Sequence, residues 1–312
     1  MHKYIISIDL GGTNTRITLT DLSLRIKART SFPTRNFSSS RKILISEIIK
    51  EVFRLLKDNS IKKTQILGLG IGVPGPVDFL KGKIYYLPNI KGWQNTPIRD
   101  ILEKRLHFKV FVDNDVNLMT LAEARLGAAK DRKNAVCLTL GTGVGGGLIL
   151  DGELFRGTSF CAGEIGHMPI NISGPRCNCG GSACLERYVG NKYILAEAKK
   201  KLKMRNINLE KLSEMAESGN KIARNIYNNF ASNIGVALAG VVNLLNPEVI
   251  VVGGGLSFAG DFIFTKIKET INKRAIPIQA GLVKVKKAML GKDAGLIGAA
   301  LLVKESKLKT NV

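Results

Sequence analysis

Cysteine, histidine and tryptophan are scarce in this chain of 312 residues, which contains five, three and one of them. Three of the five cysteines fall within residues 177–184. Clustered cysteines in a cysteine-poor chain fit a reducing cytosol better than a disulfide framework, so we expect a cytoplasmic protein.

Long apolar runs are also missing. No stretch of about eighteen apolar residues occurs, so we expect no membrane span and no membrane partner. The first residues, MHKYIISIDL, lead directly into a strand-like run without a small-residue cleavage site, which argues against a signal peptide. A hydrophobic content of 45% is typical of globular proteins, and the length suffices for one large or two medium domains.

Acidic side chains are outnumbered by basic ones, 25 against 47, which gives a net charge of +22. A polyanionic partner such as nucleic acid is one interpretation, and a solvated basic surface is the other. The basic residues are spread along the chain, and the densest runs, residues 199–203 and 284–287, are short and lack aromatic residues. This distribution favours the solvated surface, and we expect no specific nucleic-acid partner.

The metal-ligating side chains that are present are concentrated in residues 163–188. One imidazole and three thiolates suit tetrahedral zinc, and a site with four protein ligands is closed and therefore structural. Three ordinary thiols beside an unrelated histidine are the alternative. The spacing is not that of a zinc finger, so the prediction of structural Zn²⁺ depends on the donor types and their closeness. The predicted ligands are His167, Cys177, Cys179 and Cys184, and two glutamates, Glu164 and Glu186, lie just outside them.

A glycine turn follows the first strand-like run, residues 4–9, and a second strand-like run follows at 16–21. Glycines let backbone N–H groups approach a phosphate, threonine and asparagine add donors, and an acid ending the first run can hold Mg²⁺ through water. A simple hairpin turn is the alternative. The predicted nucleotide-binding residues are Asp9, Gly11, Gly12, Thr13 and Asn14.

The same pattern recurs later, because residues 9–21 correspond to residues 139–151 at a constant offset of 130. Residues 141–146 match the G-x-G-x-x-G pattern, but they lead into a strand-like run and a further turn, whereas a dinucleotide fingerprint opens a helix. We therefore reject a dinucleotide oxidoreductase and predict a second phosphate-binding hairpin. A third glycine turn follows the buried run 248–252 and suits a nucleotide edge. The predicted residues of these two turns are Thr142, Gly143, Gly254 and Gly255.

Polar residues follow further buried runs. Proline-containing loops at 74–78 and 87–93 are typical of the walls of a small polar-ligand pocket, although ordinary surface turns have the same composition. Residues 113–117, DNDVN, end one strand-like run and open a helical one, which is where open α/β sheets place their sites. One acid suffices to cap a helix, so two acids and two amides favour a functional cluster.

The chain resembles, over nearly its whole length, the sugar kinases of the ROK family (repressors, open reading frames and kinases), and among them its glucokinases. The resemblance implies the two-domain actin/hexokinase-like (ribonuclease H-like) α/β ATPase fold, with substrates bound in the interdomain cleft. Asp113 departs from the family, which often has Glu there, and so does Ala183, where Gly is usual. The similar stretches are DLGGTNTR (9–16), GVPGPVD (72–78), LPNIKGW (87–93), DNDVN (113–117), LGTGVGGG (140–147), GEIGHM (163–168) and CNCGGSACLERY (177–188).

The resemblance also implies the role of each site residue. Asp115 is expected to be the catalytic base, ATP with Mg²⁺ the donor, and glucose the acceptor at its 6-hydroxyl. His167 is expected to give one ring nitrogen to zinc and the other to a sugar hydroxyl. The implied sugar contacts are Gly75, Asn89, Asn114, Asp115, Glu164, His167 and Glu186.

We predict a smaller domain at residues 1–116, completed by the helix at 294–312, and a larger domain at 117–293 that contains the zinc segment 163–188. A homo-oligomer, a dimer or a tetramer, is expected. Another acceptor (fructose, mannose or an N-acetylhexosamine) and polyphosphate as the donor stay open. A sugar-responsive repressor is less favoured, because its helix-turn-helix domain would precede the first glycine turn and the first strand already begins near Tyr4.

Overall fold

The computed structural model describes residues 2–88, 90–255 and 259–309 of the chain. They form two compact units. The first consists of Met1–Ala122, Arg156–Ala162 and Lys292–Val312, and the second of Glu123–Phe155 and Gly163–Gly291. The predicted limits 1–116, 117–293 and 294–312 stay a prediction about domains, because the units record which residues pack together and not which parts fold alone.

Groups of strands and helices follow one another along the described part of the chain. The strands are β1 (Tyr4–Leu10), β2 (Asn14–Asp21), β3 (Ile26–Pro33), β4 (Ile66–Val73), β5 (Val77–Asp78), β6 (Lys83–Ile84), β7 (Val110–Asn114), β8 (Ala135–Leu140), β9 (Val144–Leu150), β10 (Glu153–Phe155), β11 (Val249–Gly253) and β12 (Lys284–Lys287). The helices are α1 (Arg41–Asp58), α2 (Ile98–Leu106), α3 (Asp115–Leu126), α4 (Glu186–Val189), α5 (Asn191–Leu202), α6 (Leu209–Glu217), α7 (Lys221–Leu245), α8 (Phe262–Arg274), α9 (Pro277–Leu282) and α10 (Ala294–Lys309).

The first unit is built on a five-stranded sheet with the order β3-β2-β1-β4-β7. β1, β2 and β3 are antiparallel neighbours, whereas β4 runs parallel to β1 and β7 parallel to β4. Both faces of β1 are covered: Ile6 and Ile8 join the core that includes α1, and Ile5 packs with Val303 of α10. Burial on both faces explains why β1 is a nearly continuous apolar run.

The second unit repeats this architecture. Its sheet has the order β10-β9-β8-β11-β12, which corresponds strand for strand to the first sheet. β8 and β9 are antiparallel, while β11 and β12 run parallel to β8. The internal repeat predicted from the offset of 130 is therefore confirmed, and the strand-turn-strand context that excluded a dinucleotide fingerprint at residues 141–146 is confirmed with it.

Sequence periodicity located the buried elements best. Hydrophobic periodicity at residues 41–58 and apolar runs at 66–73 and 135–140 predict elements with the limits that α1, β4 and β8 have. Asn246-Pro247 predicts a helix stop, and Asn246 ends α7 in a left-handed conformation. The sequence of β12 indicates only a basic run, because this edge strand carries exposed lysines and buries little. Of the helices that the structure describes, none is sufficiently long and apolar to cross a bilayer.

Candidate active site

The predicted residues of the first unit meet at one edge of its sheet. Asp9 of β1 is in register with Gly72 of β4, and Gly72 with Asp113 of β7. The three parallel strands therefore end side by side, at the edge where α/β sheets carry their binding sites. The turn after β1, the loop after β4 and the start of α3 all project from this edge.

Asn114 and Asp115 lie at the junction between β7 and α3. The Asn114 side-chain oxygen accepts hydrogen bonds from the N–H groups of Val116 at 2.9 Å and Asn117 at 3.2 Å, so it caps the helix. The Asn114 amide nitrogen donates to the Gly75 carbonyl at 3.1 Å. Asp115 is the first residue of α3, and its Oδ1 accepts from the N–H of Val116 at 2.9 Å. Asp115 is thus held at a helix start to which the Gly75 loop is tied.

Asp113 is engaged inside the protein, with its side chain 2% exposed. Its Oδ2 accepts from Arg156 Nε at 2.9 Å and Nη2 at 2.7 Å. Its Oδ1 accepts from the Asn114 N–H at 2.8 Å and from Asn117 Nδ2 at 2.9 Å. Capping and ion pairing therefore account for much of the DNDVN cluster, and the partly exposed Asp115 is the carboxylate in a position suited to a substrate.

The first glycine turn connects β1 to β2. The Gly11 N–H donates to the Asn14 carbonyl at 3.1 Å, and Thr34 Oγ1 donates to the Gly11 carbonyl at 2.7 Å. Thr13 and Asn14 are exposed, and Gly12 is partly exposed. The turn is a closed hairpin that leaves polar groups at its tip, so both the hairpin interpretation and phosphate binding are compatible with it.

Asp9 ends its strand beside the start of α10. Its Oδ2 is ion-paired with Arg16, whose guanidinium also donates to the Lys292 carbonyl at 2.6 Å. A Cβ placed on Gly295 would lie 4.0 Å from the same carboxylate oxygen. Because Arg16 already occupies Oδ2, a magnesium-binding role of Asp9 stays a prediction.

In the second unit, Glu186 contacts the second glycine turn. Glu186 Oε2 accepts a hydrogen bond of 2.9 Å from the N–H of Val144. A Cβ on Gly143 would lie 2.5 Å from that oxygen, so only glycine fits there without displacement. Thr142 is exposed at the tip of the same turn. A predicted sugar contact and a predicted phosphate turn are thus in direct contact within one unit.

Glu164 and His167 lie on the segment that precedes the cysteines. His167 Nε2 is 3.9 Å from Glu164 Oε2, and the Glu164 side chain is 54% exposed. Partial burial raises the pKa of Glu164; His167 opposes this shift, and the neighbouring Glu186 carboxylate adds to it. Glu164, His167 and Glu186 therefore form one polar group at the surface of the second unit.

The four predicted metal ligands also come together. Their donor atoms all lie within 4.8 Å of one another. Cys177 Sγ is 3.7 Å from His167 Nδ1, and Cys179 Sγ is 3.6 Å from Cys184 Sγ. Tetrahedral zinc with thiolate and imidazole ligands spaces its donor atoms by about 3.5 to 3.8 Å, so these residues fit Zn²⁺. Nδ1 of His167 faces the thiols, and Nε2 faces Glu164.

The third glycine turn borders the second. A Cβ on Gly254, whose φ is +86°, would meet the Leu140 carbonyl at 2.2 Å. β11 and β8 are parallel neighbours, so the glycine turns that follow them lie at one edge of this sheet. Beside this turn is a cavity of about 250 Å³, lined by Leu209, Glu210, Ser213, Glu214, Glu217, Tyr227, Gly255 and Ala259.

Two groups of predicted residues are therefore assembled, one at the sheet edge of each unit. Asn89, a predicted sugar contact, lies outside the described residues. Arg156 was missed, because nothing in its sequence surroundings shows that it pairs with Asp113, 43 positions away. The signal available was indirect: a buried strand ending in Asp113 needs a cation or several donors for that carboxylate.

Known proteins match this chain over nearly its whole length. A model of the ROK family matches residues 5–306. The glucokinase of Halalkalibacterium halodurans is 33% identical over 319 residues, which cover 98% of this chain and 96% of that protein. The xylose repressor of Caldicellulosiruptor bescii is 32% identical over 96% of this chain, and the match spans 77% of the repressor.

A solved structure extends the comparison to three dimensions. The ROK family glucokinase from Streptomyces griseus, in complex with glucose and AMPPNP, is 28% identical, with a TM-score of 0.83 over 97% of this chain and 99% of that one. This likeness confirms the predicted actin-like α/β ATPase fold. The kinases among the relatives support a sugar kinase, and repressors are among the relatives as well.

Proposed function

The chain belongs to the ROK family, and from this premise we propose that it is an ATP-dependent hexose kinase that transfers the γ-phosphate to the 6-hydroxyl of glucose. The observation that carries the proposal is the β7–α3 junction, where Asp115 begins a helix beside Asn114, whose amide is bonded to the Gly75 loop. A partly exposed carboxylate held at the start of a helix is suited to accept a proton from an alcohol.

Asp115 is the general base in this mechanism. As the sugar oxygen attacks the γ-phosphorus, its proton passes to the Asp115 carboxylate, the new P–O bond forms and the bond to the ADP oxygen breaks. General-base assistance contributes roughly 10² to 10⁴ in rate, and phosphoryl transfer otherwise depends on positioning and charge neutralisation. Asn114 is held by its capping bonds, so the adjacent base needs little reorganisation when the sugar binds.

The proposed sugar contacts form two groups. Gly75, Asn114 and Asp115 belong to the first unit, and Glu164, His167 and Glu186 to the second. Asn89, which lies outside the described residues, is a further proposed contact. Glu164 and Glu186 offer hydrogen-bond acceptors to sugar hydroxyls, and His167 Nε2 offers a donor when Nδ1 binds zinc. Zinc supplies structural rigidity in this scheme, and its four ligands hold the loop that carries His167.

The donor is assigned to the glycine turns. Backbone N–H groups at residues 11–14 and at Thr142 and Gly143 would contact phosphates, with Gly254 and Gly255 at the nucleotide edge. Mg²⁺, when bound, neutralises phosphate charge, and Asp9 is the residue that would hold it through water.

The cavity beside Gly255 favours ATP over polyphosphate. Glu210, Glu214 and Glu217 are among its lining residues, and carboxylates repel a chain of phosphates but accept hydrogen bonds from ribose hydroxyls. Tyr227 stays neutral there, because burial, with a smaller contribution from Glu217, raises its pKa to about 12. These features suit the nucleoside end of the donor.

Two functions are alternatives to a glucose kinase. A kinase for mannose, fructose or an N-acetylhexosamine would use the same hydrogen-bonding groups, since these sugars share most of their hydroxyls with glucose. A sugar-responsive repressor is favoured by the similarity to the xylose repressor, which is matched over 77% of its length. The kinase is preferred, because the Asp115 junction and the paired glycine turns serve phosphoryl transfer.

A coupled assay of ADP release tests the proposal. The protein is incubated with glucose, mannose, fructose, N-acetylglucosamine and N-acetylmannosamine, each with ATP and, in parallel, with polyphosphate, followed by sugar phosphate detection. We expect the highest kcat/KM with glucose and ATP. A higher kcat/KM with another sugar transfers the proposal to that sugar, and sugar binding without any turnover supports the regulatory alternative.

A further inference from the structure

Arg156 has an environment that its chain position does not lead one to expect. Residues Arg156–Ala162 belong to the first unit, although the stretches before and after them, Glu123–Phe155 and Gly163–Gly291, belong to the second. The Arg156 side chain is only 18% exposed. A buried cation needs strong partners, and the partners of Arg156 within the first unit indicate what the residue does.

Two neighbours fix the guanidinium of Arg156. Its Nε and Nη2 both donate to Oδ2 of Asp113, at 2.9 and 2.7 Å. Its plane lies over the ring of Phe79, with the guanidinium carbon 3.8 Å from the ring centroid. The Phe79 ring is in turn 6.4 Å from that of Phe160, which is on the same segment as Arg156. Two N–H donors held in one rigid plane, and a planar face that can stack on an aromatic ring, are features of arginine that lysine lacks.

Asp113 also forms hydrogen bonds with residues on either side of Asp115. Its second oxygen accepts from the N–H of Asn114 at 2.8 Å and from Asn117 Nδ2 at 2.9 Å. The hydrogen bond to Asn114 sets the backbone orientation one residue before Asp115. The hydrogen bond to Asn117 holds the first turn of α3.

The second neighbour of the Arg156 guanidinium, Phe79, also connects it to Asn114. Phe79 follows β5, close after the loop that contains Gly75. The Gly75 carbonyl accepts from Asn114 Nδ2 at 3.1 Å. Arg156 is therefore connected to Asn114 through Asp113 and, along the 75–79 segment, through Phe79. Eight positions after Arg156 the chain reaches Glu164, which the proposed function assigns to the sugar.

We propose that Arg156 is a positioning residue for phosphoryl transfer: by its paired hydrogen bonds to Asp113 and its stacking on Phe79 it sets the β7–α3 junction at which Asp115 accepts the sugar proton. This inference depends on the proposed kinase function. Arg156 itself does not contact the reacting atoms in this scheme. A displacement of about 1 Å at a catalytic group lowers the rate by up to roughly a hundredfold, so the geometry of the pair matters more than its charge.

The test compares two arginine-to-lysine substitutions. Arg156→Lys keeps the positive charge but loses the rigid planar group that places two donors on Asp113 Oδ2 and stacks on Phe79. Arg54→Lys is the matched control, because Arg54 Nη2 also lies 2.7 Å from a buried carboxylate, that of Glu51, which is 4% exposed. For both variants, kcat, the KM values for sugar and ATP, and the thermal unfolding midpoint are measured.

We expect kcat of Arg156→Lys to fall by roughly tenfold to a hundredfold, with an unchanged KM for ATP and an unfolding midpoint that is lowered but stays above the assay temperature. Arg54→Lys should retain the wild-type kcat. If both variants have the wild-type kcat, the pair is merely structural and the inference is wrong. If the wild-type protein phosphorylates no sugar, the proposed function fails first, which is a different outcome.

A second variant covers the case in which Arg156→Lys does not fold. Asp113→Asn combined with Arg156→Met removes both charges, and replacing a buried ion pair by neutral groups often preserves stability. We expect this double variant to unfold at the wild-type temperature with the low kcat of a mispositioned base. A double variant with wild-type stability and wild-type kcat would overturn the proposal.

Discussion

The backbone N–H of Val144 donates a hydrogen bond of 2.9 Å to Glu186 Oε2, which joins the second glycine turn to the helix that follows the four candidate metal ligands. A residue expected to contact sugar and a turn expected to contact phosphate thus share one hydrogen bond. A change in the glycine turn should therefore affect Glu186, and a change at Glu186 should affect the turn. Alanine substitutions of glycines in this turn test the contact, because they add only a methyl group.

Gly143→Ala should destabilise the protein modestly. Its Cβ would lie 2.5 Å from Glu186 Oε2, the end of a flexible side chain that can move aside, so the main cost is the hydrogen bond between that oxygen and the Val144 N–H, about 1 kcal/mol. We expect a slightly lower unfolding midpoint in a thermal melt. Gly141→Ala is the matched control in the same turn, because a Cβ there meets no heavy atom within 4 Å. Equal midpoints for the two variants would contradict the close contact between Gly143 and Glu186.

Asp115→Asn should separate chemistry from binding. The amide retains the size of the carboxylate but cannot accept the proton, so kcat should fall by roughly 10² to 10⁴. Sugar binding, measured by isothermal titration calorimetry, should be retained, because Asn114 and the groups of the second unit remain. Asp100→Asn, in the first turn of α2, is the control and should have full activity. Near-normal turnover in Asp115→Asn removes this residue from the role of base.

Cys177→Ala should cost both metal and sugar binding. The thiol of Cys177 is 3.7 Å from His167 Nδ1, so loss of this ligand frees the imidazole whose other nitrogen faces Glu164. We expect loss of bound zinc by elemental analysis and a KM for sugar raised roughly tenfold or more. Cys161→Ala, outside the four-ligand cluster, should match the wild type in both. Loss of zinc with an unchanged KM for sugar would show that the cluster only stabilises the fold.

Glu248→Gln should destabilise the protein in a pH-dependent manner. Glu248 Oε1 accepts from the N–H groups of Lys133 at 2.8 Å and Asn134 at 3.1 Å. The Asn134 N–H is the largest cause that lowers the Glu248 pKa, and burial opposes it. Because the pKa is lower in the folded state, the carboxylate contributes stability above the unfolded value of about 4.3, and this is lost as the pH falls through the folded pKa.

Thermal melts of the wild type and Glu248→Gln between about pH 3 and pH 8 measure this contribution. The difference in unfolding midpoint should be constant near neutral pH and should shrink in acid. Glu269→Gln is the control, because the Glu269 side chain is 51% exposed and is paired with Lys266 at 3.2 Å. A difference that does not change with pH would show that Glu248 acts through packing instead of charge.

Much of the fold was predictable, because buried strands and amphipathic helices have periodic sequences. β4 and α1 could be delimited to the residue for this reason. β12 could not, since an edge strand exposed to water needs no apolar alternation. α2 has only 9 residues with buried Ile98, Leu102 and Leu106, so its helical period repeats too few times to give a clear signal.

The candidate site was predictable residue by residue in its chemistry but not in its contacts. His167 and the three cysteines could be grouped from donor type, and the donor atoms do lie within 4.8 Å of one another. The DNDVN cluster was read as a single functional group, whereas Asp113 is buried in an ion pair and Asn114 caps α3. The helix cap (Asn114), the ion-paired carboxylate (Asp113) and the candidate base (Asp115) are all Asp or Asn. Only their hydrogen bonds in the structure distinguish the three roles.

The sequence by itself determined the repeated strand-turn-strand plan and the grouping of the four candidate metal ligands, because each depends on local residue order, whereas the family resemblance indicated Asp115 as the candidate base. Tertiary structure alone decided that Arg156 leaves its neighbours to pair with Asp113, that Glu186 contacts the N–H of Val144, and that His167 turns Nδ1 toward the thiols. Contacts of this second kind join residues distant in the chain. These contacts form when distant elements pack against each other, and the local sequence around each residue carries no information about that packing.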